Sequence, residues 1–197
     1  MKLINSRFYS ALMIITDYLL LGLVWLICAF PIVTIYGATV SLMYVIDQWH
    51  EGESGNILRL FFRKFKESFF VKLLISFGFL ISISVIYVDF TILSNLISDD
   101  QKIITILIVT LLVLLMLFIN LAFIDSQTKK VKFTNLFKAA VISFFTNFLP
   151  NLLGILLIIL NSFLIFLLPI TVFFTPIITA VALYKLNNRK DIIIQEN

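Results

Sequence analysis

Apolar residues run from 18 to 45 without a single charge, longer than the roughly 20 residues that one membrane helix needs. The run is interrupted near its middle by Pro31, Thr34, a Tyr36-Gly37 pair and Thr39. The pattern predicts two membrane segments, residues 10–30 and 36–49, meeting at a proline-marked reversal. The second is short for a span. Its deficit is met if the link over 31–35 lies below the outer interface among other helices, because non-helical backbone at that depth needs protein or a wet cavity around it.

After a polar loop over 47–56 with Gly52 and Gly55, residues 57–70 read as an amphipathic helix lying on the membrane surface. Leu58, Phe61, Phe62, Phe65 and Phe69 share one face, and Arg59, Arg63, Lys66 and Glu67 fill the other. A third span follows over 71–93, with Asp89 late in it, then a short acidic loop over 98–101 and a fourth span over 103–124 that carries Asn120 near its end. Beyond a polar stretch over 125–132, residues 134–148 repeat the amphipathic theme, with Phe133, Leu136, Phe137, Ala140, Val141, Phe144 and Phe148 on one face and Thr134 or Asn135 as cap. The fifth span covers 149–168 with Pro150 in its first turn. Pro169 and Pro176 bracket a second broken link over 170–175, and a short sixth segment over 177–186 leads to a basic tail. The expected fold is all-α: a polytopic membrane helical bundle of about six transmembrane segments, with two proline-broken helices and two cytoplasmic amphipathic helices. Residues 1–190 form one membrane domain and 191–197 a short cytoplasmic tail.

Composition agrees. Hydrophobic residues make up 61% of the chain and charged residues 13%, against about 45–50% and about 25% in soluble domains. The net charge of +4 reflects Lys and Arg on cytoplasmic loops and not a nucleic-acid partner. If the chain crosses six times with both termini inside, all 15 Lys and Arg except Lys102 fall on one side. An alternative with four spans and two re-entrant hairpins separates the basic segments. Lys2 and Arg7 precede the first apolar run as in a signal peptide, but no small-residue cleavage site follows, so the run reads as an uncleaved helix. Cys28 has no second cysteine to pair with.

A faint internal repeat is visible. Phe62-Arg63 and Ser68-Phe69-Phe70 match Phe137-Lys138 and Ser143-Phe144-Phe145 at one offset. Thr39 and Tyr44 match Thr179 and Tyr184, each pair downstream of a Pro-Thr break. Three helical hairpins would result.

No catalytic constellation can be assembled. His50 is the lone histidine and sits in a polar loop, no Gly-rich phosphate loop is present, and no Ser or Thr has a base to activate it. Neither a cofactor nor a metal is expected. Asp17 and Asp89 are the ionisable residues within the spans, a costly position that points either to an interfacial or interhelical contact or to function. Discontinuous helices build midplane sites in transporters, which makes Asp17, Thr34, Tyr36, Thr39, Thr171 and Thr175 candidates for a solute path. The plainer reading is that prolines end helices and Thr hydroxyls satisfy the freed carbonyls. Asn120, Asn147, Asn151 and Asn161 suit hydrogen bonds between helices. The basic cluster Arg59, Arg63, Lys64 and Lys66 suits anionic lipid headgroups, topology or a cytoplasmic partner.

The run Val24-Trp25-Leu26-Ile27-Cys28-Ala29-Phe30-Pro31-Ile32-Val33-Thr34-Ile35-Tyr36-Gly37-Ala38-Thr39, with Asp17 before it, resembles the YesL family of bacterial membrane proteins of unknown function. So do the Phe-rich Leu60-Phe61-Phe62-Arg63-Lys64-Phe65-Lys66 and the later Thr134-Asn135-Leu136-Phe137-Lys138-Ala139-Ala140. Where that family often has Asn in the first span, this chain has Gly22. Such proteins are often encoded near sugar-uptake ABC systems and glycan-degrading enzymes. The resemblance implies a multi-pass protein of the bacterial cell membrane with an accessory part in carbohydrate uptake or its regulation, acting on an ABC sugar transporter or another membrane protein. It assigns no site residue. A small solute carrier or channel is the competing expectation.

Overall fold

A computed structural model describes residues 7–52, 55–96, 101–128 and 133–187. Their regular structure is entirely helical. The elements are α1 (Arg7–Ala29), a 3₁₀ turn (Ile32–Thr34), α2 (Ile35–His50), α3 (Ile57–Lys66), α4 (Phe69–Leu96), α5 (Gln101–Gln127), α6 (Phe133–Thr146), α7 (Phe148–Leu167), a second 3₁₀ turn (Pro169–Phe173) and α8 (Thr175–Asn187). Four of them, α1, α4, α5 and α7, are long and apolar enough to cross a membrane. With 16 and 13 residues, α2 and α8 rise about 24 and 20 Å, less than a hydrocarbon core of about 30 Å.

The two links over 30–34 and 168–174 are short 3₁₀ turns beside Pro31 and at Pro169. Pro31 ends α1, and the Thr34 hydroxyl donates back to the Cys28 carbonyl at 2.5 Å. Pro169 opens the second 3₁₀ turn, where the Thr171 hydroxyl donates to the Leu168 carbonyl at 2.7 Å. After each break the chain doubles back. Tyr18 of α1 meets Trp49 of α2 edge-on at 5.2 Å, and Asn161 of α7 donates to Thr179 of α8 at 2.5 Å. Thr39 and Thr179 each donate to the first carbonyl of their helix, at 2.8 and 2.6 Å.

The core is organised on α2. From Tyr36 to Ile46 only Thr39 and Tyr44 are not fully buried, and the helix packs against α1, α3, α4, α5 and α8. Among side chains described in α4, those buried are Lys72, Ile75 and Ser76; in α5 none is buried before Met116. The packed core therefore sits on the first turns of α4 and the last turns of α5. The far stretches of both helices show apolar side chains outward, as lipid-facing surface does. The Pro31 link, expected below the outer interface among other helices, leads into a first turn of α2 that lies toward the Lys72 and Asp125 ends of α4 and α5. The amide of Tyr36 donates to Ser76 Oγ at 3.3 Å, and the Tyr36 hydroxyl donates to Asp125 at 3.1 Å. A short α2 whose first turn needs polar partners is drawn to where those partners are.

In both amphipathic helices only part of the expected apolar stripe faces inward. In α3 the buried residues are Ile57, Leu60, Phe61 and Lys64, while Leu58 and Phe62 are exposed. The helix stops at Glu67, so Phe69 belongs to α4 and cannot extend the stripe. Asn56 caps its start, its side chain accepting from the amides of Leu58 and Arg59. In α6 the inward residues are Leu136, Ala140 and Ser143, with Phe144 packed against the core, and Phe133 and Phe137 are exposed; Phe148 belongs to α7. The reason is polar: Ser143 donates to Asn120 Oδ1 of α5 at 2.8 Å and accepts from Asn147 at 3.2 Å. Thr134 and Asn135 lie inside the first turn of α6, not at its cap.

The turn between α3 and α4 holds Ser68 at φ 50, a left-handed conformation that costs an ordinary residue about 1–2 kcal/mol. Ser68→Ile should destabilise the solubilised protein by about 1–2 kcal/mol beyond Ser68→Gly, because a β-branched side chain tolerates this φ worst. Thermal unfolding of the two variants side by side checks it.

Candidate functional site

Where α2 begins, ionisable side chains from α3, α4 and α5 converge. Lys64 and Lys72 are each 2% exposed. An unpaired ammonium in such a place is prohibitive, and each of these has found carbonyl oxygens. Lys72 Nζ donates to the carbonyl of Lys64 in the last turn of α3, at 2.5 Å, and Lys64 Nζ donates to the carbonyl of Thr128 just past α5, at 2.6 Å. Helix C-termini leave their last four carbonyls without intrahelical partners and carry the negative end of the dipole, so two cations placed there satisfy orphan acceptors. Glu67 adds a carboxylate 3.4 Å from Lys64. Asp125, half-buried on α5, interacts electrostatically with Lys72 and Lys64 and accepts from the fully buried Tyr36 hydroxyl, which also lies 3.3 Å from the Leu121 carbonyl. The arrangement is a polar clamp tying the α1–α2 break to α3, α4 and α5.

The clamp has an outer edge. The Arg63 guanidinium donates to the Tyr44 hydroxyl. It also lies 5.5 Å from the Tyr44 ring, with Lys64 Nζ at 5.7 Å from the same ring, both within cation–π range. The Tyr44 hydroxyl donates in turn to Gln48 at 3.2 Å. Of the four cations expected at the surface of α3, Arg59, Arg63 and Lys66 are exposed and Lys64 is not. Its butyl stem packs inward and its charge is consumed by the clamp, so it offers nothing to lipid or a partner.

Residues 18–90 match a family described as a protein of unknown function, DUF624. No curated protein and no solved structure matches the chain. The matched stretch carries the Pro31 break, α2, α3 and most of α4, with Tyr36, Lys64 and Lys72. Asp125 and the second break lie outside it.

The six residues proposed for a solute path do not share one place. Asp17 lines a groove with Met13, Trp49 and Asn56 at the far end of α2. Thr34 and Thr171 are spent on carbonyls in their own breaks, and Tyr36 belongs to the clamp. Thr39 and Thr175 do come together, in a cavity of about 290 Å³ between α1, α2, α5, α7 and α8. Asn161 reaches the same cavity. Of the expected interhelical asparagines, Asn120 joins α5 to α6 and Asn161 joins α7 to α8, while Asn147 donates to Ser143 four residues before it. Asn151 is fully buried with neither side-chain atom partnered. His50 stacks on Tyr184 at 4.6 Å and its Nδ1 lies 2.9 Å from the Ile46 carbonyl.

Sequence reasoning passed over Lys72 and Asp125 as loop-side charges. One signal pointed to them. Asp125 continues the helix of a span with no charge over 103–124, and Lys72 follows Lys64 by eight residues, near the start of an equally apolar one.

Proposed function

We propose that the protein is a multi-pass protein of the bacterial cell membrane, with both termini cytoplasmic, that serves as an accessory to a transporter in carbohydrate uptake or its regulation. The antiparallel pairs α1–α2, α4–α5 and α7–α8 support the topology, since a hairpin returns the chain to its starting side whether or not its second arm spans fully. That keeps the basic ends of the helices together, as the excess of cytoplasmic Lys and Arg favours. The carbohydrate link rests on the YesL resemblance, whose residues fall largely within the 18–90 match.

The observation that carries the docking role is the outer face of α3. Arg59 and Lys66 stand exposed on it beside the exposed Leu58 and Phe62, while Lys64 and the Asn56 cap hold the inner face in place. A fixed helix with cations and apolar side chains outward is a surface pre-organised for a partner. Reversing Arg59 and Lys66 to Glu together should cut co-purification of a transporter in mild detergent at least about tenfold, a loss of roughly 1.4 kcal/mol, with thermal unfolding unchanged. Recovery of the wild-type protein alone would remove the reading. A carrier is the second reading, favoured by the cavity that unites Thr39 and Thr175.

A further inference from the structure

We propose that the cavity between the two broken helices is a binding site for an uncharged, membrane-soluble molecule with one hydrogen-bond-accepting head on an apolar body. The inference stands apart from the docking role. It bears on the carrier reading by naming a ligand class that a free sugar does not fit.

Two observations converge. The first is the lining: about 290 Å³ enclosed largely by Leu42, Met43, Ile119, Ile158, Ala180 and Leu183, room for on the order of ten non-hydrogen atoms if each takes about the 30 Å³ of a liquid water. The second is that two residues on this lining each hold a buried polar atom without a partner. Trp25 Nε1 is buried and unpaired, and so is Thr175 Oγ1, on a residue only 4% exposed. Buried polar groups in native proteins are almost always satisfied, and exceptions call for an explanation.

The chemistry narrows the occupant. An indole N–H can only donate, so the ligand must bring an acceptor. The hydroxyls of Thr39 and Thr179 already donate to backbone carbonyls, and Asn161 donates to Thr179. A sugar, with a donor and acceptors on each hydroxyl, would leave most of them unmatched. No carboxylate, Lys or Arg lines the cavity, so nothing there would hold an ion. A ketone, ether, ester or alcohol oxygen on a short chain meets both orphan donors and leaves its body against apolar walls. Ser162 is exposed, and Ile158 and Ile165 are half-exposed on the apolar outer surface of α7, which places the mouth toward lipid.

The test uses the full chain with Trp49→Phe, so that Trp25 is the sole tryptophan, in phosphatidylcholine nanodiscs. Titration with 2-octanone should shift Trp25 emission saturably, and octane should not. Thr175→Val should weaken the response about five- to tenfold, the cost of one hydrogen bond. Ser162→Phe, at the exposed mouth, should abolish it while the melting temperature holds. If 2-octanone gives nothing but native mass spectrometry finds a phospholipid that Ser162→Phe displaces, the same acceptor chemistry comes from a lipid ester and the site stands. Equal responses to octane and 2-octanone would reduce it to an apolar gap. No saturable response and no displaced lipid would overturn it.

Discussion

Lys72→Ala is expected to destabilise the solubilised protein by about 3–5 kcal/mol, the usual cost of removing one partner from a buried charged cluster. Lys72 is 2% exposed and its ammonium holds a carbonyl at the end of α3. Without it that acceptor is orphaned, a void replaces the butyl stem, and Asp125 loses a cationic neighbour. Lys72→Met keeps the stem and loses the charge, so it should cost less than alanine. Asp125→Asn alone should also destabilise, because Lys72 and Lys64 then stay buried with less negative charge nearby. The double variant Lys72→Met/Asp125→Asn should be more stable than the two single costs added together, by about 0.5–3 kcal/mol, as coupled neighbours are. Thermal unfolding of all four chains in one detergent measures this. Strict additivity would mean that Lys72 and Asp125 act separately.

The second large effect is expected at Gly22. A Cβ built there would lie 2.2 Å from the Phe173 carbonyl oxygen and 2.9 Å from Ile177 Cδ1. The side chain could turn away, but the oxygen belongs to the backbone of the second break and cannot. Gly22→Ala must therefore push α1 away from that break, at a cost of about 2–3 kcal/mol, the upper part of the range for overpacking. Close approach through a small residue is a common way for membrane helices to pack. Gly78 is the control. On α4 a Cβ would meet nothing within 4 Å, so Gly78→Ala should be neutral or stabilise by up to about 1 kcal/mol through helix propensity. Equal effects at both positions would show that the close contact at Gly22 does not govern its packing. The site has no room for a side chain of any polarity.

The apolar run over 18–45 with Pro31 inside it was enough to foresee the α1–α2 hairpin, and Pro169 with Pro176 the second. A proline cannot continue a helix inward, and a charge-free run cannot leave the membrane. The apolar stripes of α3 and α6 were only partly legible: Phe61, Leu136 and Ala140 do face inward, but Leu58, Phe62, Phe133 and Phe137 do not. Where lipid can cover an apolar side chain as well as protein can, hydrophobicity alone does not indicate which side is inside. The inward face is chosen by polar matching: Ser143 against Asn120, and Lys64 against the end of α5. Those partners sit 23 and 64 residues apart, and no local periodicity relates them.

By itself the chain determined its helices, its two breaks, its membrane character and the pairing of each broken helix with its neighbour, because these follow from spacing, from proline and from the cost of burying charge in hydrocarbon. The tertiary structure alone decided that the first break docks on Ser76 and Asp125, that Lys64 and Lys72 are interior, that Gly22 marks a backbone contact, and that Thr39, Thr175 and Trp25 line one cavity. Each of these depends on atoms from distant segments meeting within hydrogen-bonding or van der Waals reach, and that is a property of the packed bundle.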